Sequence, residues 1–241
     1  MRIHRYKQAG GCLLCVKKLL QLLEKQTYLL GTDAILHHIS AADNHYSSSS
    51  IFLDVGCGIG NFAKPLINEN KSVFAVSYAI GVDIFLPSLL IAKKVYDDVV
   101  RCDIRFLPFR HASCDIVLVS QTIEHLEKND GLSLIKDLEK ISKSTLIITV
   151  PVGYNPKQHL EDDNPWQLHK SAWYPDEFKA CGFKVYGYAG ARFLFGERGE
   201  YKLKSRILWP LFFTLSLLTQ CITRWFVTAS YQMLCVKTFV H

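Results

Sequence analysis

Residues 52–62 read FLDVGCGIGNF, and this stretch decides the fold. Residues 51–55 form a short apolar run that stops at glycines, the pattern of a buried strand. Gly56, Gly58 and Gly60 then open a segment, 59–68, with helical patterning. Glycines let the backbone turn sharply and let a ligand approach without meeting a Cβ. A dinucleotide fingerprint would put its third glycine three positions after the second. Here that position is Asn61, and the third glycine is Gly60. No Gly-Lys-Ser/Thr follows, which excludes a phosphate-gripping P-loop.

Outward from this loop the chain alternates between two periodicities. Strands are expected at 79–82, 99–102, 115–119, 145–150, 183–188 and 231–240, and helices at 87–96, 131–141 and 175–180. Apolar strands alternating with helices predict a parallel sheet covered on both faces. Residues 151–172 are a long irregular stretch, and loops of that length in a compact domain usually carry function. Asp83 ends the second strand, where an acid can accept hydrogen bonds from a ribose diol. Asp103 lies just past the third strand, placed to accept from an exocyclic amine. Carboxylates after successive strands meet at the carboxyl edge of the sheet.

With these residues in place, the chain resembles the class I S-adenosylmethionine-dependent methyltransferases, the group that includes small-molecule and lipid-quinone methyltransferases. The first motif of that family falls on Asp54, Gly56, Gly58 and Gly60, with Cys57 inside it. Its ribose acid falls on Asp83, with Ile84 beside the adenine, and its adenine acid on Asp103, followed by Ile104. The LPF of residues 107–109, the CDIVLVSQTIEHL of residues 114–126 and the TLIITVP of residues 145–151 also match. The resemblance covers roughly residues 48–190. It implies a Rossmann-like, doubly wound α/β sandwich of seven strands with the last antiparallel. The family often has a Lys/Arg-Pro-Gly-Gly turn before the fifth strand, where this chain has Ile141-Ser142-Lys143-Ser144. The stretch NPWQLHKSAW, residues 164–173, resembles a branch linked to cell-surface glycan and lipid modification.

The implied cofactor is S-adenosyl-L-methionine. Its methionine carboxylate would meet the helix start near Gly60, where free N–H groups and the helix dipole favour an anion. Asp54 would face the ammonium. Such residues align the reactants, and alignment supplies much of the catalysis. A hydroxyl acceptor also calls for a base, and His suits that role near neutral pH. The candidates are His125, after the fourth strand, and His159 and His169 in the loop after the fifth. Tyr154, Trp166 and Trp173 are candidate walls of an acceptor pocket. No metal is expected. Cys12 and Cys15 have a two-residue gap, but one pair supplies only two ligands.

Composition and charge place the rest. The 241 residues are 49% hydrophobic and 21% charged, which excludes a disordered chain. Eight scattered Cys and no signal-peptide pattern lead to an expected reducing, cytoplasmic compartment. Arg2, Arg5, Lys7, Lys17 and Lys18 at one end, and Lys202, Lys204, Arg206, Arg224 and Lys237 at the other, stand in segments without an acid. Basic termini rich in Leu, Phe and Trp suit an anionic membrane surface, such as the inner face of the cell membrane, better than a nucleic acid. Nucleic acid is therefore not expected as a partner. Residues 207–223 carry no charge, yet they are short for a span and are interrupted by Pro210. Three placements stay open for them: internal packing, a membrane interface, or a span.

The expected organisation is an N-terminal helical cap over 1–45 with an amphipathic helix at 12–30, then a methyltransferase domain over 46–241. An apolar helical insertion occupies about 203–228 of that domain. The expected activity is methyl transfer to a small-molecule or lipid-linked acceptor. A quinone or other isoprenoid lipid is the alternative acceptor, and a non-catalytic cofactor-binding or assembly protein the alternative of another class. The oligomeric state is not legible.

Overall fold

The structure is a computed structural model and describes residues 50–64, 66–67, 76–154, 164–196, 202 and 208–239. The expected cap over 1–45, the Cys12/Cys15 pair, His159, Lys204 and Arg206 lie outside the described residues.

Apolar runs form the strands β1 (Ser50–Val55), β2 (Val76–Asp83), β3 (Asp98–Arg101), β4 (Cys114–Ser120), β5 (Ser142–Pro151), β6 (Lys184–Ala191) and β7 (Ser230–Thr238). They build one sheet in the order β3-β2-β1-β4-β5-β7-β6. The first five strands are parallel, and β7 runs antiparallel to both β5 and β6. This is the expected doubly wound sheet of seven strands with the last antiparallel.

Strand residues alternate between the two faces because the pleat has a period of two. Phe52, Leu118, Ile147 and Leu234 pack on one face. Leu53, Val117, Leu146, Ile148 and Met233 pack on the other. Helices cover both. α1 (Leu86–Ala92) places Leu89 and Ala92 on the first face, while α2 (Lys128–Ile141) places Leu134, Ile135, Leu138 and Ile141 on the second. α3 (Pro175–Ala180) adds Phe178 to the second face. α4 (Trp209–Thr223) lies in the chain between β6 and β7, inside the expected insertion, and rests Trp209, Phe212 and Leu215 on the first face.

Two helix boundaries differ from the sequence reading. The helical segment expected from 59 becomes helical only at 63–64, after turns through 61–62. Gly58 and Gly60 have φ of 53° and 87°, which a right-handed helix cannot contain. α1 stops at Ala92 instead of 96, and the chain turns to bring Tyr96 inward and Asp97 Oδ2 onto the Ala79 N–H at 2.9 Å.

The sheet order reverses at β1, with β2 on one side and β4 on the other. Open α/β sheets bind ligands at the carboxyl ends of the strands at such a switch point. The glycine loop after β1 and the segments after β2, β3, β4 and β5 all open there.

Candidate active site

The loop after β1 is anchored by backbone. The Gly56 and Cys57 N–H groups both donate to the Val82 carbonyl, at 2.8 and 2.9 Å. Gly60 N–H donates to Cys57 O, and Lys64 N–H closes the first helical turn onto Gly60 O. At Gly56 a Cβ would collide with the Thr122 side chain. At Gly58, with its positive φ, a Cβ would meet nothing within 4 Å. Gly56 therefore serves the fold, while Gly58 faces open space at the carboxyl edge of the sheet.

Asp83 locks the loop to the next strand. Its Oδ2 accepts from Gly58 N–H and its Oδ1 from Phe85 N–H, both at 2.8 Å. A carboxylate has about four acceptor positions, so two remain for a ribose diol. Ile84 follows, its carbonyl accepting from Arg101 Nε at 3.1 Å. The open side of Gly58 and the spare capacity of Asp83 fit S-adenosylmethionine.

Asp54 is only 2% exposed, and its Oδ2 accepts a 2.5 Å hydrogen bond from the Tyr96 hydroxyl. Burial pushes its carboxyl up to about 7; the Tyr96 bond opposes this and the charge of Asp83 adds to it. Burial, with the charges of Asp54 and Asp83, also pushes the Cys57 thiol up and keeps it neutral. Asp103 accepts from Arg105 N–H at 3.0 Å and pairs with Arg105 Nη2 at 2.6 Å. That guanidinium holds its carboxyl below the ordinary range. Asp103 thereby caps the 3-10 turn that begins at Ile104.

A second group of candidate residues comes from the 3-10 turn Ile123–His125, directly after β4, and from the end of the loop after β5. The Glu124 carbonyl accepts from Lys170 N–H at 2.8 Å and Ser171 N–H at 3.1 Å. His125 Nδ1 lies 3.2 Å from the Leu168 carbonyl, and the His125 and His169 rings meet edge to face with centroids 4.9 Å apart. The carboxylate of Glu124, a residue only 2% exposed, stands with them: one ligand atom from each of the three residues lies within 4.8 Å of the others.

Trp173 is enclosed by protein at 1% exposure. Its Nε1 donates to Ser171 Oγ at 2.9 Å, Lys128 Nζ sits 3.5 Å above its ring, and Gly131 of α2 leaves the ring its space. The Trp173 carbonyl accepts from Gly153 N–H at 2.7 Å, joining the two ends of the loop. Tyr154 and Trp166 are exposed. The Tyr154 carbonyl accepts from Arg192 Nη2, and Trp166 N–H donates to Asn164 Oδ1.

Three contributors escaped the sequence reading. Tyr96 and Thr122 carry no motif signal, since only the folded chain brings them to Asp54 and Gly56. Glu124 stands beside His125 in the quoted TIEHL stretch, and a carboxylate next to an imidazole after a strand was the available signal.

The family described as "Methyltransferase domain" matches residues 53–145, the stretch from the glycine loop to β5. A protein named "Probable tRNA methyltransferase 9B", from Bos taurus, is 26% identical over 151 residues, which are 58% of this chain and 32% of that one. The chain thus spans about a third of the length of that relative. Among solved structures, a small RNA methyltransferase HEN1 is similar at a TM-score of 0.54 and 18% identity, covering 85% of this chain and 24% of the other. Magnesium protoporphyrin IX methyltransferase from Synechocystis PCC 6803, solved with bound SAH, is similar at a TM-score of 0.51 and 14% identity, covering 93% and 87%.

These similarities overturn one expectation. Nucleic acid was set aside because the basic charge sits at apolar termini, yet similar proteins are named as RNA or tRNA methyltransferases. Terminal charge says nothing about an acceptor crevice at the sheet edge, so the exclusion of nucleic acid does not stand. The seven-stranded sheet has the class I methyltransferase fold, and the stretch from the glycine loop to β5 is similar to the methyltransferase domain family.

Proposed function

We propose that the chain methylates an oxygen of a small-molecule or lipid-linked acceptor, which enters beside the loop of residues 152–173. The observation that carries this reading is the placement of Glu124, His125 and His169 together, immediately after β4 and next to Thr122, which packs on the glycine loop. S-adenosylmethionine supplies an electrophilic methyl group on a sulfonium. Asp83 would hold the ribose diol, while the cluster at Glu124 would meet the acceptor oxygen and ease loss of its proton to solvent. The new O–CH3 bond forms as the S–CH3 bond breaks, and S-adenosylhomocysteine leaves with the electron pair on sulfur.

A lipid-linked acceptor gains support from α4. Its outer side exposes Leu211, Leu217, Leu218 and Ile222, continued by Trp225 and Phe226. No helix among the described residues is long and apolar enough to cross a membrane; the exposed apolar side chains themselves suit contact with a bilayer surface. An RNA acceptor is the second reading, supported by the relatives named for RNA and tRNA.

Incubation with methyl-labelled S-adenosylmethionine and separate pools of membrane lipid, small metabolites and total RNA tests both. Label in the lipid or metabolite pool that is lost in His169→Ala supports the first reading. Label confined to RNA overturns it in favour of the second.

A further inference from the structure

We propose that Glu124, His125 and His169 form a binding site for a divalent transition-metal cation on the acceptor side of the crevice. The proposal rests on the reading that an acceptor oxygen arrives at this cluster, and it says how that oxygen is activated. Two imidazoles and a carboxylate are a donor set suited to borderline cations such as Zn2+, Mn2+, Fe2+ or Co2+. Ligand atoms around one such ion, each at about 2.1 Å, stand roughly 3 to 4 Å apart. The three atoms here lie within 4.8 Å of one another, so small side-chain rotations bring them onto one ion.

The surroundings have the form of a built site. The Leu168 carbonyl can only accept, so the His125 Nδ1 that faces it at 3.2 Å carries the proton. That fixes the tautomer and makes Nε2 the ring's ligand atom, the arrangement common to metal-binding histidines. The segment bearing His169 is bolted to the turn bearing Glu124 through the N–H groups of Lys170 and Ser171 on the Glu124 carbonyl. Ser171 Oγ in turn receives Trp173 Nε1, and Trp173 is fully packed. Ligands from two distant segments are thus held on one rigid frame, as a preorganised site requires. Glu124 is a buried carboxylate, and a dication beside it would stabilise its charged form further.

Three protein ligands leave coordination positions open. An acceptor hydroxyl bound at one of them would lose its proton more readily, because the dication stabilises the alkoxide. The proton leaves to solvent, the alkoxide attacks the methyl, and no oxidant or reductant is involved. The imidazoles then act as ligands.

The test is a Co2+ titration of the full chain, stripped with a chelator, read by visible absorption in parallel with calorimetric binding of S-adenosylhomocysteine. One equivalent of Co2+ is expected, with imidazole-type ligand-field bands. His169→Ala and Glu124→Gln should each weaken it by roughly 100-fold while leaving S-adenosylhomocysteine affinity unchanged. The first substitution is at the partly exposed loop, so it keeps the test valid if the buried Glu124 variant fails to fold. Absence of stoichiometric Co2+ binding, or binding untouched by His169→Ala, overturns the proposal. Methyl transfer that continues at full rate in excess chelator also overturns it while leaving the acceptor reading intact. Stoichiometric Co2+ binding at these residues with no oxygen acceptor methylated supports the site and removes the acceptor reading instead.

Discussion

The Tyr96 hydroxyl donates to Asp54 Oδ2 at 2.5 Å beneath the glycine loop, joining the end of β1 to the turn that follows α1. Asp54 closes the strand that presents the loop, so the loop stands on a buried carboxyl whose charge burial disfavours. Its charge state should therefore be visible in stability.

In the folded protein the Asp54 carboxyl is pushed from 3.8 up to about 7, chiefly by burial. A folded value above the unfolded one means that the folded state holds the proton more tightly. The stabilisation is complete below about pH 4 and is lost as pH rises through about 7. Three units correspond to at most ~4 kcal/mol over that window. Asp54→Asn keeps a neutral group at every pH and should flatten the slope. Urea unfolding at pH 5 and pH 8 should show the wild type losing roughly 2 to 3 kcal/mol more than the variant. Identical slopes would mean that Asp54 is ionised throughout.

Asp83 carries two backbone hydrogen bonds and is the expected ribose partner. Asp83→Ala should weaken S-adenosylhomocysteine binding by roughly 1.5 to 3 kcal/mol, the scale of hydrogen bonds to a charged group. Calorimetry on the wild type should show no binding of NAD, because position 61 lacks the third glycine of the dinucleotide fingerprint. Heat from NAD with none from S-adenosylhomocysteine would contradict the cofactor assignment.

Two glycines should fail in opposite ways. At Gly58 a Cβ meets open space but φ is +53°, so alanine there should cost only about 1 kcal/mol of stability. It should nevertheless weaken S-adenosylhomocysteine binding at least tenfold, by filling the approach to the loop. Gly187 lies in β6 where a Cβ would strike the Thr223 carbonyl of α4 and the Ser230 side chain. Alanine at 187 should destabilise by about 1 to 3 kcal/mol through overpacking, with cofactor affinity retained in the folded fraction. Thermal melts with and without S-adenosylhomocysteine separate the two outcomes.

What the sequence disclosed follows from how local each signal is. The glycine loop, Asp83 and the apolar strands were legible because turn chemistry and pleat alternation are written in consecutive residues. The late helix start at 63 was not, because periodicity cannot report the positive φ of Gly58 and Gly60. Tyr96 on Asp54, and Glu124 beside His169, bridge 42 and 45 positions and exist only once the strands are ordered. Trp173 read as a pocket wall from its place in a long loop. Its packing against Gly131 depends on where α2 crosses, which no local pattern encodes.

The last prediction concerns the outer side of α4. Leu211, Leu218 and Ile222 recur at helical spacing and are 54%, 63% and 62% exposed, with Trp225 at 73% and Phe226 at 68% beyond the helix end. The inner side is fixed to the sheet by Ser216 and Thr223, both buried, so substitutions on the outer side leave the fold's own contacts intact. Insertion of a Leu or Ile side chain into a bilayer surface contributes roughly 1.5 to 3 kcal/mol, and a Lys or Arg near anionic lipid about 1 kcal/mol. Flotation with anionic liposomes should therefore recover the full chain at low salt. Recovery should fall with added salt and fall further in a Leu218→Glu, Ile222→Glu double variant whose melting temperature stays at or above that of the wild type. A double variant that melts much lower would show these residues packed against protein. Wild-type chain that stays out of the liposome fraction at low salt would remove the membrane from the account of α4.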